Sequence, residues 1–176
     1  MGALVLFGVP SEEYWPYSIS DFDNEPSAFC YAFAQNYQGI SYYRLDPPET
    51  PTNALLNRIK LFLAAGLPSM FGFTVYSSIE QAQTTGKIPY PTPEDKIIGG
   101  HAIVAVGYDD TIKIKNTGPG AVETKGALLI RNSWGEEWGP MGGYLWFPYE
   151  YVLRGQAIDW WSLLKNEWVD TENFKP

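Results

Sequence analysis

Apolar and polar positions change their period several times along this chain, and each change marks an expected element. Met1-Gly2-Ala3-Leu4-Val5-Leu6-Phe7-Gly8 reads as the end of a helix stopped by Gly8, with Pro10 beyond it. Ser11 to Tyr17 is a loop. Pro26 to Gln38 fits a short helix opened near Pro26 and closed by Gly39. Ile40 to Leu45 alternates and predicts a strand. Asp46-Pro47-Pro48-Glu49-Thr50-Pro51 is the best boundary or crossover in the chain. Thr52 or Asn53 is placed to cap a helix running to about Ala65, with Leu55, Leu56, Ile59, Phe62 and Leu63 on its apolar face and Gly66 ending it. Strands are predicted at Ser69–Tyr76, Ala127–Arg131, Gly143–Phe147 and Ile158–Leu164. Ala102 to Val106 is continuously apolar, so it is expected to be a buried strand. Thr84–Pro93 is a Pro/Gly-rich loop, and Ile112–Lys125 a hairpin arm with a Gly-rich loop. The second part is thus mostly antiparallel strand with one helix.

Composition narrows the class. The 176 residues are 45% hydrophobic and 16% aromatic, enough for a folded core. A net charge of -8 without any basic run argues against nucleic acid as a partner. One cysteine allows no internal disulfide, and with one histidine it allows no Cys/His metal site. No cofactor is expected. The apolar start lacks the basic lead of a signal peptide, and no stretch is long enough to span a membrane, so no membrane partner is expected and the cellular address stays open.

The candidate chemistry rests on two distant residues. His101 opens one predicted strand and Asn132 closes another. If the two strands pair as a hairpin, both residues come to the same end of the sheet. An imidazole activates a nucleophile only when its ring is held in one orientation, and a carboxamide oxygen can hold it. A histidine beside an apolar strand is commonly just a core residue, and an asparagine before Ser133-Trp134-Gly135 commonly a turn former. The surrounding strings weigh against both plain readings.

Asn132-Ser133-Trp134-Gly135-Glu136-Glu137-Trp138-Gly139, followed by Gly143-Tyr144, resembles the hallmark N-S-W-G-x-x-W-G string of papain-like (C1) cysteine peptidases. Gly99-Gly100-His101-Ala102-Ile103-Val104-Ala105-Val106-Gly107-Tyr108 and Tyr14-Trp15-Pro16-Tyr17 match that family too. The resemblance covers nearly the whole chain and is nearer to bacterial members. It implies an α+β papain-like fold, with residues 1–45 a remnant of the helical domain and residues 46–176 the antiparallel β-barrel-like domain. By the same resemblance His101 is the general base and acid, Asn132 orients it, and Trp134 covers their hydrogen bond. Trp138 supports the leaving-group side, and Ala102 lines the pocket for the substrate's second residue, the substrate being a peptide or protein.

The family's thiol stands in Q-x-x-x-C-x-S-C-W-A-F-A, well before the histidine. Phe29-Cys30-Tyr31-Ala32-Phe33-Ala34 imitates part of it, with Asn24 six residues before Cys30. However, no glycine or second cysteine precedes Cys30, it lies only 71 positions before His101, and it follows the Tyr14–Tyr17 segment instead of preceding it. A small buried helix residue is the better reading of Cys30. The expectation is therefore the His/Asn-bearing part of a cysteine peptidase, inactive as this chain alone, whose residues 1–10 dock a missing Cys-bearing N-terminal segment or self-associate. The alternative is a non-catalytic binding or scaffold protein on a peptidase fold.

Overall fold

Gly and Pro punctuate the chain where its helices and strands stop. The computed structural model describes residues 1–165, which fall into two units: Met1–Tyr43 with Leu163–Lys165, and Arg44–Ser162.

In the first unit, α1 (Gly2–Leu6) ends at Phe7 and Gly8 turns the chain at φ +79°. Helix α2 (Ala28–Ala34) starts at Ser27, whose hydroxyl accepts the Cys30 N–H. A 3-10 turn (Gln35–Tyr37) completes the segment expected to be one helix. Tyr14 packs edge to face against both Phe29 and Phe33, with the Tyr14 and Phe33 centroids 4.8 Å apart. Strand β1 (Gly39–Arg44) follows. Leu163 lies so close to Gly39 that a β-carbon there would come within 2.6 Å of it.

The second unit is built on a sheet. Helix α3 (Thr52–Ala64) buries Leu55, Leu56, Ile59 and Leu63. The cap differs from expectation: Pro51 takes the N-cap position in an extended conformation, no side chain caps the helix, and Thr52 is already its first residue. Proline's fixed φ suits this entry residue, but its ring offers no side-chain acceptor for the N–H groups of the first turn. Then come β2 (Ser69–Tyr76), α4 (Ala82–Thr85), β3 (Ile97–Lys115), β4 (Glu123–Arg131), β5 (Tyr144–Pro148), α5 (Glu150–Leu153) and β6 (Ala157–Lys165). The segment read as a loop from Thr84 thus begins inside a helical turn. The strand order β6-β2-β3-β4-β5 is antiparallel throughout.

The core lies between this sheet and α3, with Phe71 stacked on the fully buried Trp160 at 3.9 Å between ring centroids. The Trp160 indole donates to the Ala157 carbonyl, so burial leaves no orphan donor. A polar knot ties the loop before β3 to the turn after it. Asp95 accepts from Thr92, Ser77 and Asn116, while Asn116 Oδ1 accepts from Gln81 and Gly118.

One sequence expectation is corrected in β3. Ala102–Val106 is not buried on both faces: Ile103 and Ala105 are buried, Val104 and Val106 are half-buried, and Ala102 is exposed. Small and β-branched side chains read as a continuous apolar run whether one face is covered or two. The open face is the one that borders the cleft described next.

Candidate active site

Pairing of β3 with β4 places the two candidate residues at one end of the sheet. Val104 lies opposite Arg131, so His101 runs three residues outward on one strand while Asn132 leaves the other. His101 Nε2 lies 2.9 Å from Asn132 Oδ1. The same oxygen accepts the Ser133 backbone N–H at 2.8 Å. A backbone N–H can only donate, so the atom between it and the ring is the carboxamide oxygen. Nε2 must then carry the proton and donate. The neutral ring is left with its lone pair on Nδ1, which has no hydrogen-bond partner among the described residues.

The loop after Asn132 supplies a cover. Trp134 stacks on the imidazole with centroids 4.7 Å apart and planes 20° from parallel. Trp138 meets Trp134 edge-on at 4.7 Å and packs against the core, while Trp134 stays 43% exposed. Gly143 closes this loop: its carbonyl accepts the Asn132 N–H at 2.9 Å. Its φ is +80°, and a β-carbon there would sit 3.0 Å from the Gly135 carbonyl oxygen. A side chain at 143 would therefore push the Trp134 loop away.

From the other side Phe73, paired with His101 across β2 and β3, sets its ring edge-on to the imidazole at 6.0 Å. Beside them lies an open cleft of about 550 Å³ lined by Gly72, Thr74, His101, Ala102, Ile158 and Asp159, among others. Four of the residues singled out in the sequence, His101, Asn132, Trp134 and Trp138, thus come together, and Ala102 is on the cleft floor. Phe73, Gly72, Ile158 and Asp159 were not anticipated. The one available signal was Gly72, a glycine inside a strand pattern, which commonly marks close approach of a ligand or backbone.

Cys30 belongs to the other unit. It is 3% exposed; its sulfur takes the Ser27 hydroxyl at 3.3 Å and points its own hydrogen at the Tyr14 carbonyl at 3.5 Å. Among the described residues no cluster of His, Cys, Asp and Glu side chains could hold a metal ion. No described helix is long and apolar enough to cross a membrane.

An antiparallel sheet presenting a carboxamide-steadied imidazole under an indole is the arrangement of a papain-like fold. The chain belongs to the papain family of cysteine proteases, whose model matches residues 5–153. It is 30% identical over 174 residues to an uncharacterized peptidase C1-like protein (L477) of Acanthamoeba polyphaga mimivirus, covering 97% of this chain and 51% of the relative. It is 34% identical to xylellain, a cysteine protease from Xylella fastidiosa, with a TM-score of 0.72 over 94% of this chain and 60% of that one. The clostridial cysteine protease Cwp84, 17% identical with a TM-score of 0.63 over 94% of this chain and 40% of that one, shares the fold. The chain therefore spans about half the length of the curated relative it matches.

Proposed function

We propose that this chain is the His/Asn-bearing part of a papain-like peptidase that hydrolyses peptide bonds, and that residues 1–176 alone do not cleave. The observation that carries this reading is the 2.9 Å His101–Asn132 bond beneath Trp134, which leaves Nδ1 as the basic nitrogen. In the proposed reaction Nδ1 takes the proton of a thiol, and the thiolate attacks the substrate carbonyl. The imidazolium returns that proton to the leaving amine, and water, deprotonated in turn by Nδ1, cleaves the acyl-enzyme.

Cys30 is a poor source of that thiol. It is buried, and a thiol already donating to the Tyr14 carbonyl is not poised as a nucleophile. The thiol is assigned to a polypeptide segment other than residues 1–176. Its docking is placed on residues 1–10, where Leu6, Phe7 and Val9 are exposed at 69%, 52% and 47%.

A peptidyl epoxide and a fluorogenic peptide test this together. The chain alone should show neither Cys30 adduct by mass spectrometry nor cleavage. Adding a segment that bears the family's Gln and Cys should give cleavage and an epoxide adduct on the segment's own cysteine, and His101→Ala should abolish that cleavage. Rapid Cys30 labelling with cleavage by the chain alone would overturn the assignment. Failure of any such segment to restore cleavage would favour the alternative, a non-catalytic scaffold on this fold.

A further inference from the structure

Three paired strands shape the cleft beside His101. Ile158, Gly72 and Ala102 lie in register across β6, β2 and β3, and share one face. The next row holds Thr74 opposite Gly100. Gly72 and Gly100 carry no side chains, so the middle of this face is a trough, walled by Ile158 and opened toward His101. Its floor is apolar and small. A substrate side chain lying in it would rest an aliphatic stem against Ile158 and Ala102.

The end of the trough is charged. Among the described residues Asp159 is the only charged side chain that lines it. Its backbone is left-handed, at φ +61°. The Asp46 carboxylate holds that conformation by accepting the N–H groups of Asp159 at 2.7 Å and Trp160 at 3.0 Å. Arg44 Nε donates to Asp46 at 3.1 Å, and its guanidinium is 3.8 Å from Asp159 Oδ1. The Trp161 indole donates to the same oxygen at 2.7 Å. One arginine faces two carboxylates, so this corner keeps a negative charge. Asp159 Oδ1 is fixed by these contacts, while the side chain remains 64% exposed and its second oxygen has no partner among the described residues.

Resting on the functional reading above, we propose that this trough takes a lysine or arginine side chain of the peptide substrate and that Asp159 selects it. An apolar trough lined at one side by a carboxylate is complementary to a cation on an aliphatic chain. Asp46 is the positioning residue that holds the Asp159 backbone in its turn. Because Asp159 is exposed, the discrimination is modest, about 2- to 5-fold.

The single histidine makes the test independent of catalysis. The ¹³C-labelled imidazole gives one signal, which is followed during titration with N-acetyl-lysyl-, N-acetyl-norleucyl- and N-acetyl-glutamyl-glycine amide. The lysyl peptide should bind about 2- to 5-fold more tightly than the norleucyl peptide at low ionic strength, and the glutamyl peptide most weakly. The lysyl advantage should vanish near 1 M salt and in Asp159→Asn, since asparagine tolerates the same left-handed backbone. Gly72→Val should weaken all three alike: its β-carbon meets nothing nearer than 3.9 Å, so the fold survives while the trough fills. Equal binding of lysyl and norleucyl peptides, or a preference that persists in Asp159→Asn, overturns the inference and leaves the functional reading standing. If no peptide moves the His101 signal, the functional reading itself falls, and this inference with it.

Discussion

Replacing Asn132 by Ala tests whether the carboxamide sets the chemistry of the imidazole. The substitution removes the acceptor of two hydrogen bonds, from His101 Nε2 at 2.9 Å and from the Ser133 N–H at 2.8 Å. A typical net hydrogen bond is worth about 0.5–1.5 kcal/mol. The lower half of that range applies here, because His101 and Asn132 are only half-buried and water can replace the lost partner. The bond favours the tautomer with its proton on Nε2, so its loss should shift the ratio of Nε2–H to Nδ1–H rings by roughly 2- to 5-fold. Long-range ¹H–¹⁵N correlation at about pH 9, well above the ordinary imidazole range, reads both tautomers of the single histidine directly. The wild-type chain should show Nε2–H as the dominant form. Asn132→Ala should raise Nδ1–H, with near-UV circular dichroism confirming an intact fold. Asn132→Asp, which keeps the acceptor oxygen, should stay near wild type. A wild-type ring protonated mainly on Nδ1 would refute the reasoning, because no free base would then face a thiol. An unmoved ratio in a folded Asn132→Ala protein would refute it equally.

Two further perturbations test the frame that holds the site. Gly126→Ala puts a side chain at φ +88° in a place where its β-carbon would overlap the Tyr149 ring, which is buried and bonded to Asp110 at 2.8 Å. Left-handed strain and a displaced aromatic together should cost about 2–4 kcal/mol in urea unfolding, and a loss below about 1 kcal/mol would contradict that packing. Burial tends to raise the carboxyl of Asp95, but the N–H and hydroxyl of Thr92, with the Ser77 hydroxyl, outweigh it and hold the group below the usual carboxylate range. A folded-state value below the unfolded one means the unfolded chain binds more protons. The stabilisation is therefore complete above the unfolded value near ~3.9 and is lost as pH falls through the lower folded value. The gap in urea midpoint between wild type and Asp95→Asn should be widest well above ~3.9 and shrink as pH falls below it, whereas a pH-independent gap would show that Asp95 acts by shape alone.

How much of this was legible beforehand depends on the distance over which each feature is encoded. Strand β2 was read with its observed ends, Ser69–Tyr76, because alternation and its flanking breakers are local. The four buried positions of α3 were readable for the same reason, whereas its cap was not: Pro51 and Thr52 both suit a helix entry, and only backbone geometry separates N-cap from first turn. The pairing of His101 with Asn132 followed from strand ends and the antiparallel rule, with the motif strings fixing which ends mattered. Burial of Ala102 was misread because an apolar run tells how greasy a strand is and not how many of its faces are covered.

Asp159 lay beyond local reading altogether. Nothing in Gln156-Ala157-Ile158-Asp159-Trp160 announces a left-handed residue, and its backbone is set by Asp46, 113 positions away. The Asp46-Pro47-Pro48 string was read as a crossover, which describes its backbone but not its carboxylate. Two N–H groups turned toward one carboxylate expel Asp159 from the regular alternation of β6, and that break aims its side chain at the trough. Asp46→Ala should therefore reproduce the loss of lysyl preference seen in Asp159→Asn while the Asp159 carboxylate is still present. Retention of the full preference in a folded Asp46→Ala chain would show that the turn at Asp159 is held by its own strand and not by the distant carboxylate.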